Sequence, residues 1–295
     1  MAETKRSVLI TGASGQLGHC LKDMKPDGVT LHTFTKADLD ITNKEQIDRV
    51  FGDSNFDFFV NCAAFTGVDN AESQQYEAYR INAEAVNQLA SVCSQFDTSF
   101  IQLSSDYVYD NGLNRPLIET DHTQPNSVYA KSKLKGDAFA LEENSNTIVL
   151  RTSWLYSEYG HNFVKTMLRL SSIKKELHIV SDQHGIPTYA RDLAGAIFRI
   201  VLSTPGSFEY GVYHFANLGF ATWDEFARTI FDMTNVDTRV IPIETKDYPT
   251  PAKRPLYSVL DSSKFATQFT FTIRHWRDAL DECLTRIALN SNSDN

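Results

Sequence analysis

The stretch Ser7-Val8-Leu9-Ile10-Thr11-Gly12-Ala13-Ser14-Gly15-Gln16-Leu17-Gly18 decides the fold. Ser7 to Ile10 is a short apolar run of the kind that forms a buried strand, and Gln16 to Met24 has the apolar spacing of a helix. Between them lies a GxxGxxG turn. Gly12 permits the tight turn, Gly15 lets backbone N–H groups approach a pyrophosphate, and Gly18 allows the helix to pack close to the strand. A strand running through such a turn into a helix is the fingerprint of a dinucleotide site. The same turn without a ligand is the plainer alternative.

The pattern repeats outward from this unit. Strands are expected at Val29–Phe34, Phe58–Val60, Ser99–Leu103 and Asn146–Leu150. Helices are expected at Asn43–Phe51, with Thr42 or Asn43 as N-cap, at Ala71–Gln95 in one long run, and at Ser127–Leu141. Strands separated by helices of this length need crossover connections and form a parallel sheet covered on both faces. The fold class is therefore α/β: a Rossmann-type doubly wound sheet over residues 1–150. After Arg151 the rhythm changes to helices at Phe163–Leu170, Asp192–Leu202, Trp223–Met233 and Ile273–Ile287 with proline turns between them. Residues 151–295 read mainly as a smaller C-terminal substrate-binding lobe, with room for segments to return to the first domain. The polar end Asn290–Asn295 is expected to fray.

Composition narrows the function classes. Of 295 residues, 42% are hydrophobic and 22% charged, the balance of an ordinary globular chain. With 28 basic and 37 acidic side chains the net charge is −9, and the densest basic run, Lys131, Lys133 and Lys135, is flanked by acids. That is no nucleic-acid footprint. No stretch reaches the length needed to span a bilayer. The charged start, Met1 to Arg6, precedes too short an apolar run for a secretion signal. Cys20, Cys62, Cys93 and Cys283 are scattered without a CxxC pair, which argues against a disulfide framework or a structural metal and for the cytoplasm.

In a doubly wound sheet the ligand lies beyond the carboxyl ends of the strands, and the chemistry-bearing residues fall there. Thr33-Phe34-Thr35-Lys36 ends the second strand without an acid to grip a ribose 2′-hydroxyl. Lys36 therefore tilts the choice toward NADPH, with NADH still open, and Asp40 and Ile41 fall near the adenine end. Asn61-Cys62-Ala63-Ala64 ends the third strand with small residues, suiting close passage of a cofactor or tight packing. Ser104-Ser105 ends the fourth, where a hydroxyl can hold a carbonyl oxygen. Tyr129 and Lys133, the one YxxxK of the chain, share a helix face. A cation beside a phenol lowers its pKa, and such a tyrosine can protonate the alkoxide formed when hydride reaches a carbonyl carbon.

Together these residues resemble the extended short-chain dehydrogenase/reductase superfamily. Further strings, Phe65-Thr66-Gly67-Val68-Asp69-Asn70-Ala71-Glu72, Ser105-Asp106-Tyr107-Val108-Tyr109, Arg151-Thr152-Ser153-Trp154-Leu155-Tyr156, Asp182-Gln183-His184-Gly185-Ile186-Pro187-Thr188 and Arg254-Pro255, resemble the dTDP-4-dehydrorhamnose reductase family within it. The resemblance implies an oxidoreductase that uses NAD(P)H to reduce the C4 ketone of dTDP-4-dehydro-6-deoxy-L-mannose. It implies Tyr129 as proton donor, Lys133 as its partner and holder of the nicotinamide ribose, and Ser105 as the group that orients the ketone. Gly12, Gly15, Gln16, Leu17, Gly18, Asp40, Ile41, Ala63, Ala64, Phe65 and Thr66 would line the cofactor. Asp106, Tyr107 and Trp154 would line the dTDP-sugar, and Arg254 would pair with its diphosphate.

The chain departs from the family pattern in places. Serine stands at 105 where threonine is more frequent, Phe65 where histidine is common, and Gly67 where alanine is common. Cys20 stands where relatives often carry an acid, so a metal-bridged homodimer is not assigned and no metal is expected; a homodimer as such stays open. A sugar-nucleotide dehydratase needs an acid–base pair after the hydroxyl residue, and Tyr107 cannot supply a carboxylate base. A 4-epimerase and a non-catalytic cofactor-binding regulatory subunit remain as alternatives.

Overall fold

The computed structural model describes residues 5–204 and 206–293. The first half runs β1 (Arg6–Thr11), α1 (Gln16–Asp23), β2 (Val29–Phe34), α2 (Lys44–Asp53), β3 (Phe58–Asn61), α3 (Val68–Ser73), α4 (Gln75–Tyr79), a π-helical turn (Arg80–Glu84), α5 (Ala85–Gln95), β4 (Ser99–Ser105), α6 (Val128–Glu143) and β5 (Thr147–Thr152). The order alternates as expected. The second half adds β6 (Leu155–Tyr156), α7 (Phe163–Ser171), β7 (Glu176–Val180), β8 (His184–Gly185), β9 (Thr188–Tyr189), α8 (Ala190–Val201), β10 (Gly211–His214), β11 (Ala221–Thr222), α9 (Trp223–Thr234), β12 (Arg239–Ile243), α10 (Ser263–Gln268) and α11 (Trp276–Ser293).

Six strands form one parallel sheet in the order β10-β5-β4-β3-β1-β2. Its inner strands β1, β3, β4 and β5 are buried on both faces, with period-2 alternation sending successive side chains to opposite sides. Val8 and Ile10 pack with Leu17, Leu21, Leu193 and Ile197 on one face. Leu9 packs with Ile47, Phe51, Leu89 and Val149 on the other. The order of strands reverses between β1 and β3, so the crevice for a ligand opens at the ends of those two strands.

Local chemistry starts the helices where the sequence indicates. Asn43 caps α2 by accepting from the Gln46 amide at 3.1 Å, and Ser127 caps α6 by accepting from Ala130 at 3.2 Å. The single helix expected over Ala71–Gln95 is instead interrupted after Ser73 and bulged at Arg80–Glu84. The bulge has a tertiary cause: it brings the backbone of Asn82 against Gly136 of α6, where a Cβ would stand 2.0 Å from the Asn82 carbonyl oxygen. Such π-turns cluster at functional sites.

The chain past residue 151 contributes to both lobes. Helix α8 packs on α1 and fills the first face of the sheet, while β10 pairs in parallel with β5 and becomes the sheet edge. Tyr156, Val164, Phe226, Ile230, Trp276 and Leu280 form the separate core of the smaller lobe, flanked by the parallel pair β7–β12. Helix α11 continues to Ser293, so the backbone at 290–293 is helical where fraying was expected. Asp294, Asn295 and the charged Met1–Thr4 lie outside the described residues. Among the described residues no helix is long and apolar enough to cross a membrane.

Gly136→Ala should lower stability by about 1–3 kcal/mol through overpacking against Asn82, read from the urea midpoint; an unchanged midpoint would refute the packing argument.

Candidate active site

The glycine turn is shaped by collision as much as by freedom. Gly12 has φ +66°, and a Cβ there would stand 2.7 Å from the Cys62 carbonyl carbon. The turns after β1 and β3 therefore touch at the switch point. Gly15 donates its N–H to the Gly12 carbonyl at 2.9 Å, and a Cβ on Gly18 would meet the same oxygen at 2.5 Å. Helix α1 begins at Gln16 without a side-chain cap, which leaves its first N–H groups for an anion. Below the turn, Thr11 donates to Asn61 at 2.7 Å, and Asn61 donates to Gln102 at 2.8 Å, tying the ends of β1, β3 and β4 together.

These elements wall a cleft with a volume of about 960 Å³. Its cofactor side carries every residue expected there: the 12–18 turn with Gly15, Gln16 and Leu17, then Asp40 and Ile41, then Ala63, Ala64, Phe65 and Thr66. Asp40 accepts from the Thr42 amide and hydroxyl at 2.9 and 2.7 Å. Burial opposes its charge, but these hydrogen bonds win and hold the carboxyl below its ordinary pKa. Lys36 and Arg80 line the same end. The 63–66 loop is held from behind by Asn82, which accepts from the Phe65 amide at 2.8 Å and donates to the Phe65 carbonyl and the Ser132 hydroxyl, both at 3.0 Å.

Across the cleft stand Ser105, at the end of β4, and Tyr129 and Lys133, on α6. The Ser105 hydroxyl stands near enough to the Tyr129 phenol to act on its charge. It also donates to Asp106 at 3.0 Å and accepts from the Tyr107 amide at 3.2 Å. Burial pushes Tyr129 up to about 12, against the pull of the Ser105 hydroxyl. The expected lowering of this phenol by Lys133 is absent here, because the ammonium donates instead to the Leu103 carbonyl at 2.5 Å. Burial draws Lys133 itself down to about 8. The Asp106 carboxyl, gripped at its other oxygen by Ser258 at 2.6 Å, is pushed up to about 7 by burial despite that bond and the one from Ser105.

Of the residues expected on the sugar side, Ser105, Asp106, Tyr107, Tyr129 and Trp154 line the cleft and Arg254 does not. Arg254 binds Asp69 at 2.7 and 3.1 Å and Thr250 at 2.6 Å. The Tyr107 ring meets Tyr129 edge to face with centroids 6.0 Å apart. Trp154 has φ +43° and lies flat on Trp223, centroids 3.5 Å apart and planes 7° from parallel. A Cβ on Gly185 would strike its ring at 2.4 Å. Trp223 and Asn82 escape sequence reading: one opens a helix in the distant lobe, and the other sits inside what reads as an uninterrupted helix. Among the described residues no group of three or more His, Cys, Asp or Glu side chains is placed to hold a metal ion.

Residues 6–289 match the RmlD substrate binding domain family. The chain belongs to that family. A dTDP-4-dehydrorhamnose reductase of Sinorhizobium fredii is 37% identical over 277 residues, covering 92% of this chain and 94% of the relative. A solved dTDP-4-dehydrorhamnose reductase from Clostridium acetobutylicum superposes with TM-score 0.91 at 37% identity, covering 96% of this chain and 99% of that one. One from Bacillus anthracis, in complex with NADP, gives TM-score 0.91 at 34% identity with the same coverage. The whole chain, both lobes included, is thus shared with these reductases.

Asn82→Ala should release the 63–66 loop and weaken NADPH binding about tenfold, since two backbone groups and a buried hydroxyl lose their partner. Fluorescence titration of the cofactor checks this; an unchanged Kd would remove Asn82 from the site.

Proposed function

We infer that this chain reduces dTDP-4-dehydro-6-deoxy-L-mannose to dTDP-L-rhamnose with NADPH or NADH. The observation that carries the reading is that Ser105, Tyr129 and Lys133 line one cleft together with the glycine turn, in a chain whose relatives are named as that reductase. The cofactor fits the residues present. The turn at Gly12, Gly15 and Gly18 has no room for side chains, the helix behind it is uncapped, and Lys36 and Arg80 stand at the far end to meet phosphate charge. When bound, the reduced nicotinamide supplies hydride to C4 of the sugar.

The chain's own groups handle the oxygen. The ketone oxygen accepts hydrogen bonds from Tyr129 and from Ser105, whose hydroxyl turns from Asp106 to meet the negative charge developing there. Tyr129 gives up its proton to that oxygen. A phenol near 12 holds its proton until the alkoxide forms, and donation to so strong a base is favourable. Lys133, charged, stabilises the phenolate left behind and holds the nicotinamide ribose. Asp106 and Tyr107 line the sugar, and the stacked Trp154–Trp223 pair forms an apolar wall at the lobe side. Arg254 acts on the nucleotide diphosphate once its pair with Asp69 is exchanged.

Residues 1–150 carry the cofactor and most of 151–295 closes over the sugar nucleotide, with α8 and β10 serving the sheet. The four cysteines are unpaired thiols, consistent with work in the cytoplasm. A dehydratase role is opposed by Tyr107, a buried phenol whose pKa burial raises further, where a carboxylate base would be needed.

The test is incubation with NADPH or NADH and dTDP-4-dehydro-6-deoxy-L-mannose, with loss of nicotinamide absorbance and identification of the sugar product. Stoichiometric consumption of cofactor with formation of dTDP-L-rhamnose is expected; product without net oxidation would indicate an epimerase, and cofactor binding without turnover a regulatory subunit. Tyr129→Phe should leave the NADPH Kd within about twofold while lowering kcat by about 10²–10⁴-fold, the usual worth of general acid catalysis. An unchanged kcat would sink the assignment.

A further inference from the structure

Lys133, Asp137 and Arg151 form a buried array behind the cleft. Lys133 and Asp137 are one turn apart on α6, so their side chains share a face. Both are almost wholly buried, 3% and 1% exposed, and Arg151 on β5 is 5% exposed. Arg151 Nε donates to Asp137 Oδ2 at 3.2 Å, and the Ser104 hydroxyl at the end of β4 donates to the same oxygen at 2.8 Å. The other oxygen, Oδ1, has no hydrogen-bond partner among the described residues. An orphaned carboxylate oxygen in a dry interior is costly unless a cation faces it. The remaining cation of the array is Lys133, whose one hydrogen bond here goes to the neutral Leu103 carbonyl.

We propose that Asp137 is a positioning residue for the reduction, serving as the buried counter-charge that keeps Lys133 protonated and aimed at the cleft. The proposal rests on the reductase reading above and deepens it. The role of Arg151 follows from charge: with Lys133 and Asp137 alone the carboxylate would have one partner, and burial pushes it above the ordinary carboxylate range. The guanidinium, never deprotonated, opposes that rise and favours the ionised carboxylate. Arg151 is itself fixed by donating to the Tyr109 hydroxyl at 2.6 Å, and Tyr109 meets the His214 ring nitrogen at 2.8 Å.

The groups facing Lys133 are few. Burial lowers its pKa to about 8, while Asp137 and the Cys62 thiol at the end of β3 act in the opposite direction. Cys62 is pushed up to about 12 by burial and stays neutral through the working range. Tyr129 likewise stays neutral near 12. His214, beyond Arg151, is drawn down to about 3 by burial and is neutral too. Asp106, pushed up to about 7, faces Ser105 and Ser258 and contributes a limb common to all variants. Among the described residues Asp137 is therefore the charge that holds Lys133 up, and without it the ammonium loses its proton at lower pH.

Asp137→Asn tests this through pH. In the unaltered chain kcat/KM and NADPH affinity should fall as pH rises through about 8. In the variant the same fall should come at least one pH unit earlier, giving about a tenfold loss at pH 8 and values within about threefold of the unaltered chain at pH 6. Asp137→Glu, which keeps the charge, should put the fall at or above the original pH; it is also the variant to read if Asp137→Asn does not fold. A fall at unchanged pH in the asparagine variant, a loss uniform across pH, or an early fall in the glutamate variant would overturn the proposal. The NADPH titration, followed by fluorescence, needs no sugar substrate. Absence of turnover in the unaltered chain would count against the reductase reading, and the binding titration would still decide the role of Asp137.

Discussion

The contact between the Gly12 turn and the backbone of Cys62 and Ala63 is the constraint on which the rest of the structure depends. Two strand ends come within van der Waals limits only because no side chain intervenes at Gly12, and Thr11, Asn61 and Gln102 lock the strands at that spacing by side-chain hydrogen bonds. From this point the crevice opens toward solvent with its two walls fixed. One wall is the first turn of α1 and the other is the 63–66 loop, which Asn82 holds through both its amide nitrogen and its oxygen. The π-turn that carries Asn82 exists to reach that loop and Gly136 at once.

Charge is handled in the same economical way. A chain with net charge −9 cannot attract a dianionic sugar nucleotide through its overall field. Its cations are instead placed locally: Lys36, Arg80 and Lys133 line the cleft, and Arg254 stands outside it on Asp69. Three of these are restrained by a neighbour. Arg80 is held by Glu77 and Thr42, Arg254 by Asp69, and Lys133 by the Leu103 carbonyl. Binding energy spent on orienting these groups is thus small, because packing orients them beforehand.

Much of the first half was legible because period-2 and period-3.6 patterns are local. β1, the glycine turn and α1 follow from twelve consecutive residues, and the expected cofactor-lining residues all fall on one cleft. The features that escaped depend on partners far along the chain. The π-turn at Arg80–Glu84 answers to Gly136, and helical spacing alone cannot announce it. Trp223 matters through Trp154, sixty-nine residues earlier, and Arg254 is claimed by Asp69 across 185 positions. The pKa of Tyr129 was misjudged for a related reason: spacing put a lysine on its helix face, but burial, which depends on the whole fold, outweighed it.

The placement of β10 bears on how the molecule is made. β5 sits inside the finished sheet, flanked by β4 and β10, yet β10 leaves the ribosome some sixty residues after β5 does. During that interval β5 has an open edge with unpaired backbone groups, the kind of template that invites intermolecular pairing. Helix α8, which covers the neighbouring apolar face, is translated in the same window. Synthesis therefore passes through a stage in which β1 to β5 are complete in sequence but unsealed in space. The contacts that seal it, the pairing of β10 and the packing of α8, are made by residues that carry no chemistry of their own.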